Sequence, residues 1–296
     1  MIANGLARLL LAAVWLLHWL PLSWQAALGC AFGRVLHLFG RSRRRVALRN
    51  VELCLPELDA AARAALVREH FQWLGRSLLE RSMLWYASAE RLRRLIHVEG
   101  DVHLAERSPR SVMWLVPHFL AVDVAGTAVQ LFQTKTGCNI YTAQSNKVLD
   151  EALRKGRYRF SDAAMFTRQQ SALPMVRAIK RGMPFFNPAD MDFGLRDAAF
   201  VPFFGHPAAT LLAPSKLARS LDMVVQPVLA EILPGGQGWR ITFLPPWDDW
   251  PSDDALADAA RMNLYIETLI RRNPAQYLWV HKRFKTRPEG APPVYG

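Results

Sequence analysis

Hydrophobic positions fall into distinct regimes along the chain. From Ile2 to Phe39 apolar residues run almost without relief: Arg8 and Arg34 are the only full charges, and the densest stretch, Leu9–Leu20, reads LLLAAVWLLHWL. Over residues 57–95, Leu66, Phe71, Trp73, Leu74, Leu78, Leu79 and Leu84 recur at three- and four-residue intervals between charged positions, a spacing that predicts helix. After Gly100 the texture changes to short apolar runs alternating with amphipathic stretches.

The short runs predict strands at Ser111–Val116, Asn139–Thr142, Ala163–Thr167, Met183–Phe186, Phe200–Phe203, Met223–Ile232 and Arg240–Leu244. The amphipathic stretches predict helices at Leu120–Gln133, Val148–Arg157, Ser171–Arg181, Thr210–Leu221 and Asp253–Arg272. Such alternation implies an α/β fold, a mixed and mainly parallel sheet flanked by helices, with N-terminal membrane-anchoring helices in front of it. The chain divides on this reading into an anchor with its basic flank, residues 1–45, and a single catalytic body, residues 46–296, with no internal repeat and no low-complexity linker.

The apolar N-terminal run is open to three readings: a signal peptide, a spanning helix, or an apolar hairpin lying in one leaflet. No small-x-small cleavage site follows it, and a second amphipathic stretch, Trp24–Phe39, continues beyond Pro21, which counts against a signal peptide. Its uninterrupted core is short of the roughly 20 apolar residues that a span needs. Trp15, Trp19 and Trp24 fit a headgroup layer, or equally the core of a buried helix. Arg41, Arg43, Arg44, Arg45 and Arg49 follow at once, with no acid among them, and predict that the body lies on the cytoplasmic face of a membrane.

Composition supports a globular body with a local attachment: 51% of residues are hydrophobic and mean hydropathy is +0.02. A formal net charge of +12 suits nucleic acid, anionic lipid or an acidic protein equally. The three cysteines, Cys30, Cys54 and Cys138, are far apart and odd in number, so neither a disulfide framework nor a zinc site is indicated.

The most informative segment is SVMWLVPHFLAVDVAGTAV, Ser111–Val129. An apolar strand runs into Pro117 and His118, and a helix of small residues then carries Asp123. On one helix, residues five apart point about 140° away from each other. With His118 in the turn before the helix and Asp123 in its first turns, the carboxylate can reach back to one imidazole nitrogen. A carboxylate there sets the tautomer, leaving the other nitrogen to take a proton from a substrate hydroxyl. No nucleophile elbow is present, so direct attack by the hydroxyl on an activated acyl group fits better than a covalent acyl-enzyme.

Other constellations are ambiguous on their own. Arg157 and Arg159 sit where a helix gives way to extended chain, suited to phosphate contact or to closing the helix C-terminus. Asp190 and Asp192 lie in a loop after a strand, where two acids can hold a cation, bond sugar hydroxyls or position an arginine. His281, Lys282, Arg283, Lys285 and Arg287 form an acid-free run after Tyr277 and Trp279, but no nucleic-acid module accompanies it. Asp248, Asp249, Asp253 and Asp254 read as acids at a helix N-terminus rather than as a metal cluster.

Together these residues resemble a known family. The segment at His118 and Asp123 is similar to the H-x4-D/E motif of lysophospholipid acyltransferase-like enzymes. GRYR at Gly156–Arg159, ADMDFGLRDAAFVPFFGHPAAT at Ala189–Thr210 and QYLWVHKRFKTRPEG at Gln276–Gly290 narrow the likeness to the lipid A biosynthesis late acyltransferases, over essentially the whole chain. The resemblance implies a glycerolipid acyltransferase-like fold, His118 as base with Asp123 as relay partner, and no cofactor or metal. It implies substrate-binding roles for Arg157, Arg159, Asp190, Asp192, His281, Arg283 and Lys285. Acyl carrier protein (or coenzyme A) is the implied donor, a phosphorylated glycolipid the acceptor, and an anionic membrane surface the setting, with no nucleic acid. Many family members carry glutamate where this chain has Asp123, a shorter arm that requires closer approach.

Overall fold

The computed structural model describes residues 2–167 and 172–295. Six helices lead: α1 (Ile2–Leu17), α2 (Leu22–Phe39), α3 (Arg41–Cys54), α4 (Ala60–Leu79), α5 (Arg81–Tyr86) and α6 (Ala89–Leu95). Strands and helices then take turns: β1 (Ile96–Gly100), α7 (Leu104–Arg107), β2 (Val112–Leu115), α8 (Val122–Leu131), β3 (Cys138–Tyr141), α9 (Lys147–Arg157), β4 (Ala164–Thr167), α10 (Leu173–Lys180) and β5 (Phe185–Asn187). The chain continues through β6 (Ala198–Phe203), β7 (His206–Leu211), α11 (Ala213–Ser220), β8 (Val224–Ile232), β9 (Trp239–Phe243) and α12 (Ala255–Arg272). Ser171, the first residue of the helix expected at Ser171–Arg181, lies outside the described residues.

Seven strands form a mixed, mainly parallel sheet in the order β1-β9-β8-β2-β5-β3-β4, in which only β8 and β9 pair antiparallel. Strand β2 sits inside it, parallel to β8 on one side and β5 on the other. Its side chains alternate between two cores: Met113 and Leu115 join one, Val112 and Trp114 the other. Burial on both faces is why VMWL reads as an unbroken apolar run.

Two strands escaped the expectation from sequence. β1 follows α6 without punctuation and is a largely exposed edge strand, so it lacks an apolar signature. β7 forms an antiparallel hairpin with β6 across Phe204 and Gly205, both at positive φ, as a two-residue hairpin turn requires. It carries Pro207 and two alanines, and its Thr210 and Leu211 had been expected to open a helix that instead begins at Ala213. Asp254 does cap α12, accepting from the amides of Leu256 and Ala257, while Asp249 and Asp253 pair with Arg261 and Arg219.

Helix α2 lies against α4 with almost nothing between the backbones. A Cβ on Gly33 would fall 2.1 Å from the Phe71 carbonyl oxygen, and one on Gly75 would fall 2.2 Å from that of Gly29. Beside this crossing Gln25 accepts from the Ser82 hydroxyl at 2.9 Å, and its amide caps the Leu17 and Leu20 carbonyls. Arg91 donates to the carbonyls of His18 and Leu20, tying the α1–α2 connection to the body.

Candidate active site

Register brings the reactive pair together. Leu115 on β2 lies opposite Asn187 on β5, and three residues further along each parallel strand come His118 and Asp190. Ends of adjacent parallel strands are where α/β sheets gather functional groups. The His118 backbone N–H points at both carboxylate oxygens of Asp190, at 3.1 and 3.0 Å, and ring Nδ1 lies 2.5 Å from Oδ1. Burial alone would raise the Asp190 carboxyl. The charge and hydrogen bonds of His118, with Arg283 behind, hold it below its usual value instead. A buried, ionised acceptor at Nδ1 selects the tautomer of the neutral ring that carries its proton there, with Nε2 as the acceptor nitrogen. Among the described residues no hydrogen bond reaches Nε2, and the imidazole is partly open to solvent.

The imidazole is therefore met by Asp190, not by Asp123 as the H-x4-D spacing suggests. Asp123 stands in the first turn of α8, and its carboxylate is taken by two guanidiniums. Arg157 donates to Oδ1 through Nε at 3.1 Å and NH2 at 2.8 Å, and Arg81 reaches Oδ2 at 2.7 Å. Burial opposes ionisation here too, but Arg157, Arg81 and, more weakly, His118 bring the Asp123 pKa down to about 2. Asp123 and His118 are electrostatic neighbours within one site; the hydrogen bond belongs to Asp190.

The remaining candidates divide by burial. Arg159 donates to the carbonyls of Leu84 and Ala87 and lies 4.8 Å over the Phe160 ring. With Leu11, Trp85, Tyr86, Val148, Glu151, Ala152, Lys155 and Gly156 it lines an open groove of about 390 Å³ between α1, α5 and α9. Asp192 is buried and accepts from the Thr286 amide and hydroxyl at 2.6 and 2.7 Å. Its own N–H donates to His281 Nε2 at 3.1 Å. Burial, and next the charge of His118, lower the His281 pKa to about 4, so it is a neutral acceptor near neutral pH. Arg283 is 3% exposed and gives its donors to Ala209 O and Thr210 Oγ1, with Phe203 beneath it. Lys285 is exposed.

The segment around Tyr277 serves as a buckle. Leu278 N–H donates to His118 O, Leu120 N–H donates to Gln276 O, and the Gln276 side chain pairs with both backbone groups of Ile232 at the end of β8. Asn50 on α3 holds the far side through the carbonyls of Trp279 and His281, each at 2.7 Å. The grip on the His118 turn comes from Gln276 and Leu278, whereas in the basic run that follows His281 accepts from the Asp192 N–H and Arg283 holds the β6–β7 hairpin.

A tautomer-fixed imidazole with a free nitrogen, held at strand ends of an α/β sheet, is an arrangement able to take a proton from a hydroxyl. The family model for bacterial lipid A biosynthesis acyltransferases matches residues 2–286, and the chain belongs to that family. The lipid A biosynthesis lauroyltransferase of Escherichia coli K12 is 33% identical over 288 residues, 96% of this chain and 93% of that protein. The palmitoleoyltransferase of the same strain is 32% identical over 96% of this chain and 92% of its own length. The myristoyltransferase is 30% identical over 87% and 80%. The protein is accordingly an enzyme, an acyltransferase of lipid A biosynthesis.

Proposed function

We propose that His118 is the general base that activates an acceptor hydroxyl on a phosphorylated lipid A precursor, with Asp190 as the residue that orients it. The Nε2 atom takes the hydroxyl proton as the oxygen bonds to the thioester carbon of an acyl carrier protein donor. The tetrahedral centre then collapses, the carbon–sulfur bond breaks, and the thiolate leaves with the proton from the imidazolium. Ester and free carrier thiol result, with no acyl-enzyme. The observation that carries this reading is the Nδ1–Asp190 hydrogen bond beside an unengaged Nε2.

Asp123 in this scheme organises positive charge. One carboxylate between Arg81 and Arg157 leaves one net positive charge close to His118, suited to an acceptor phosphate or to the oxyanion of the tetrahedral centre. The groove beside Arg159 and Lys155 extends that charge toward an apolar wall and fits the amphiphilic character of the acceptor. Reaction at the cytoplasmic face of the inner membrane follows from the arginine-rich flank after the apolar helices.

The test is lipid A mass spectrometry from cells lacking this chain, complemented with wild type, His118→Ala or Asp190→Asn. Restoration of one acyl chain by wild type alone is the expected result. Restoration by His118→Ala, at matched protein levels, overturns the general-base assignment.

A further inference from the structure

Helix α2 is solvent-facing on one side and welded to the body on the other, while α1, with Ala7 its one buried side chain among the described residues, rests against α5 and α9. The inner face of α2, Leu22, Gln25, Ala26, Gly29 and Gly33, is buried, and its two glycines touch the backbone of α4. Its outer face presents Trp24, Leu28, Phe32, Val35, Leu38 and Phe39, with Phe39 75% exposed. Helix α1 likewise leans on α5 and α9, and presents Leu6, Leu9, Leu10, Trp15 and Leu16 outward. So much contiguous apolar surface in water is costly and marks a partner.

We infer that α1 and α2 form an in-plane platform, each helix lying along one anionic leaflet with its outer face in the acyl boundary and neither crossing the bilayer. The inference rests on the membrane reading above and specifies its geometry. Length argues first: α1 and α2 span about 24 and 27 Å against a hydrocarbon core of about 30 Å. Among the described residues no helix is long and apolar enough to cross a membrane. Packing argues second. A crossing α2 would have to carry α4, glycine against backbone, into the hydrocarbon, and α4 bears Arg63, Arg68, Glu69 and Arg76. Charge argues third and names the lipid. The first acidic residue of the chain is Glu52, whereas Arg34 sits within the outer face of α2 and Arg41 and Arg45 are exposed just past its end. An apolar strip edged by Arg34, Arg41 and Arg45 along α2 and its end matches acidic headgroups over a short-chain ligand or a neutral surface.

The experiment places single spin labels along the platform of the full-length enzyme, with Cys30→Ala removing the partly exposed native thiol, at Leu6→Cys, Leu16→Cys, Trp24→Cys and Phe39→Cys. Depth is read by power saturation on vesicles of phosphatidylethanolamine and phosphatidylglycerol. In-plane helices place all four labels at one shallow depth, about 5–10 Å below the headgroups. A monotonic depth gradient along either helix, with one end in the far leaflet, overturns the inference while leaving membrane residence intact. A second pair of measurements keeps the two apart. The double variant Trp24→Ser/Phe39→Ser, both exposed side chains, is expected to bind the same vesicles about tenfold more weakly or worse, with its thermal melting and its turnover of detergent-dispersed acceptor unchanged. Replacing phosphatidylglycerol with phosphatidylcholine weakens wild-type binding in the same sense. Wild type that ignores both kinds of vesicle overturns the membrane reading itself.

Discussion

Two carboxylates flank His118, Asp190 buried and Asp123 partly so, and their surroundings differ completely. Asp190, just past the end of β5, meets the imidazole, a neutralisable cation, through Nδ1, with the His118 backbone N–H on both its oxygens and Tyr277 beside it. Asp123, at the junction of α5, α8 and α9, meets two permanent cations. A carboxylate paired with a guanidinium cannot change its partner's protonation, since arginine stays charged. One paired with imidazole controls which ring nitrogen carries the proton. On the function proposed above, the strand-end region governs proton transfer and the helical junction holds charge in place, although the familiar spacing motif names the junction residue.

Breaking the first half of the comparison has the largest expected effect. His118→Ala should lower kcat/KM by about a hundred- to ten-thousand-fold, the range of a lost general base, in an acyl-transfer assay. Asp190→Asn should fall in the same range because an amide no longer fixes the tautomer. Native-like melting in both would keep the loss chemical. Equal activity in Asp190→Asn and wild type would end the distinction drawn here.

The second half should show itself in stability as well as turnover. Asp123→Asn leaves Arg81 and Arg157 facing each other without a counter-charge. With these groups only partly exposed, about 2–3 kcal/mol of unfolding free energy should be lost in denaturant titration. Asp123→Glu, which keeps the charge on a longer arm, should recover most of it. Acid sharpens the contrast further. A carboxyl lowered in the folded state to about 2 contributes stability that is present above its unfolded pKa and is lost as pH falls from that value through 2. That contribution should be on the order of 2 kcal/mol, and Asp123→Asn should flatten the stability curve in that window.

His281 titrates at milder acidity and in the same sense. Its folded pKa of about 4 lies below the unfolded value, so the unfolded chain binds the extra proton and stability drops as pH falls from 6.5 toward 4. His281→Gln should reduce the slope there, although buried His70, also near 4, keeps a share of it. The smallest effect belongs to Lys285→Ala, an exposed site where stability should change by less than about 0.5 kcal/mol.

Both strands that end at the site were legible in sequence, as were His118 and the loop position of Asp190. Their partnership was not. It depends on β2 lying beside β5 with Leu115 opposite Asn187, and a pairing across 72 residues leaves no local pattern. Spacing within one segment favoured Asp123, because five residues of chain are visible and sheet order is not. Burial misled in a similar way for the run from His281 to Arg287. A string of cations reads as surface, yet Arg283 is enclosed by Ala209, Thr210 and Phe203 from a hairpin whose second strand was itself unrecognised.

The glycine crossing of α2 on α4 bears on how this enzyme can be handled in the laboratory. Cutting away an apolar N-terminus is a routine way to obtain a water-soluble catalytic fragment. Here residues 22–33 roof Phe71, Gly75, Arg76 and Ser82, so the cut would strip cover from the same helix layer whose Ala275 contact with His70 steadies the buckle beneath His118. A better-behaved preparation would keep both helices and recolour their outer faces, exchanging the exposed leucines, phenylalanines and tryptophans for polar residues while leaving Gly29 and Gly33 alone.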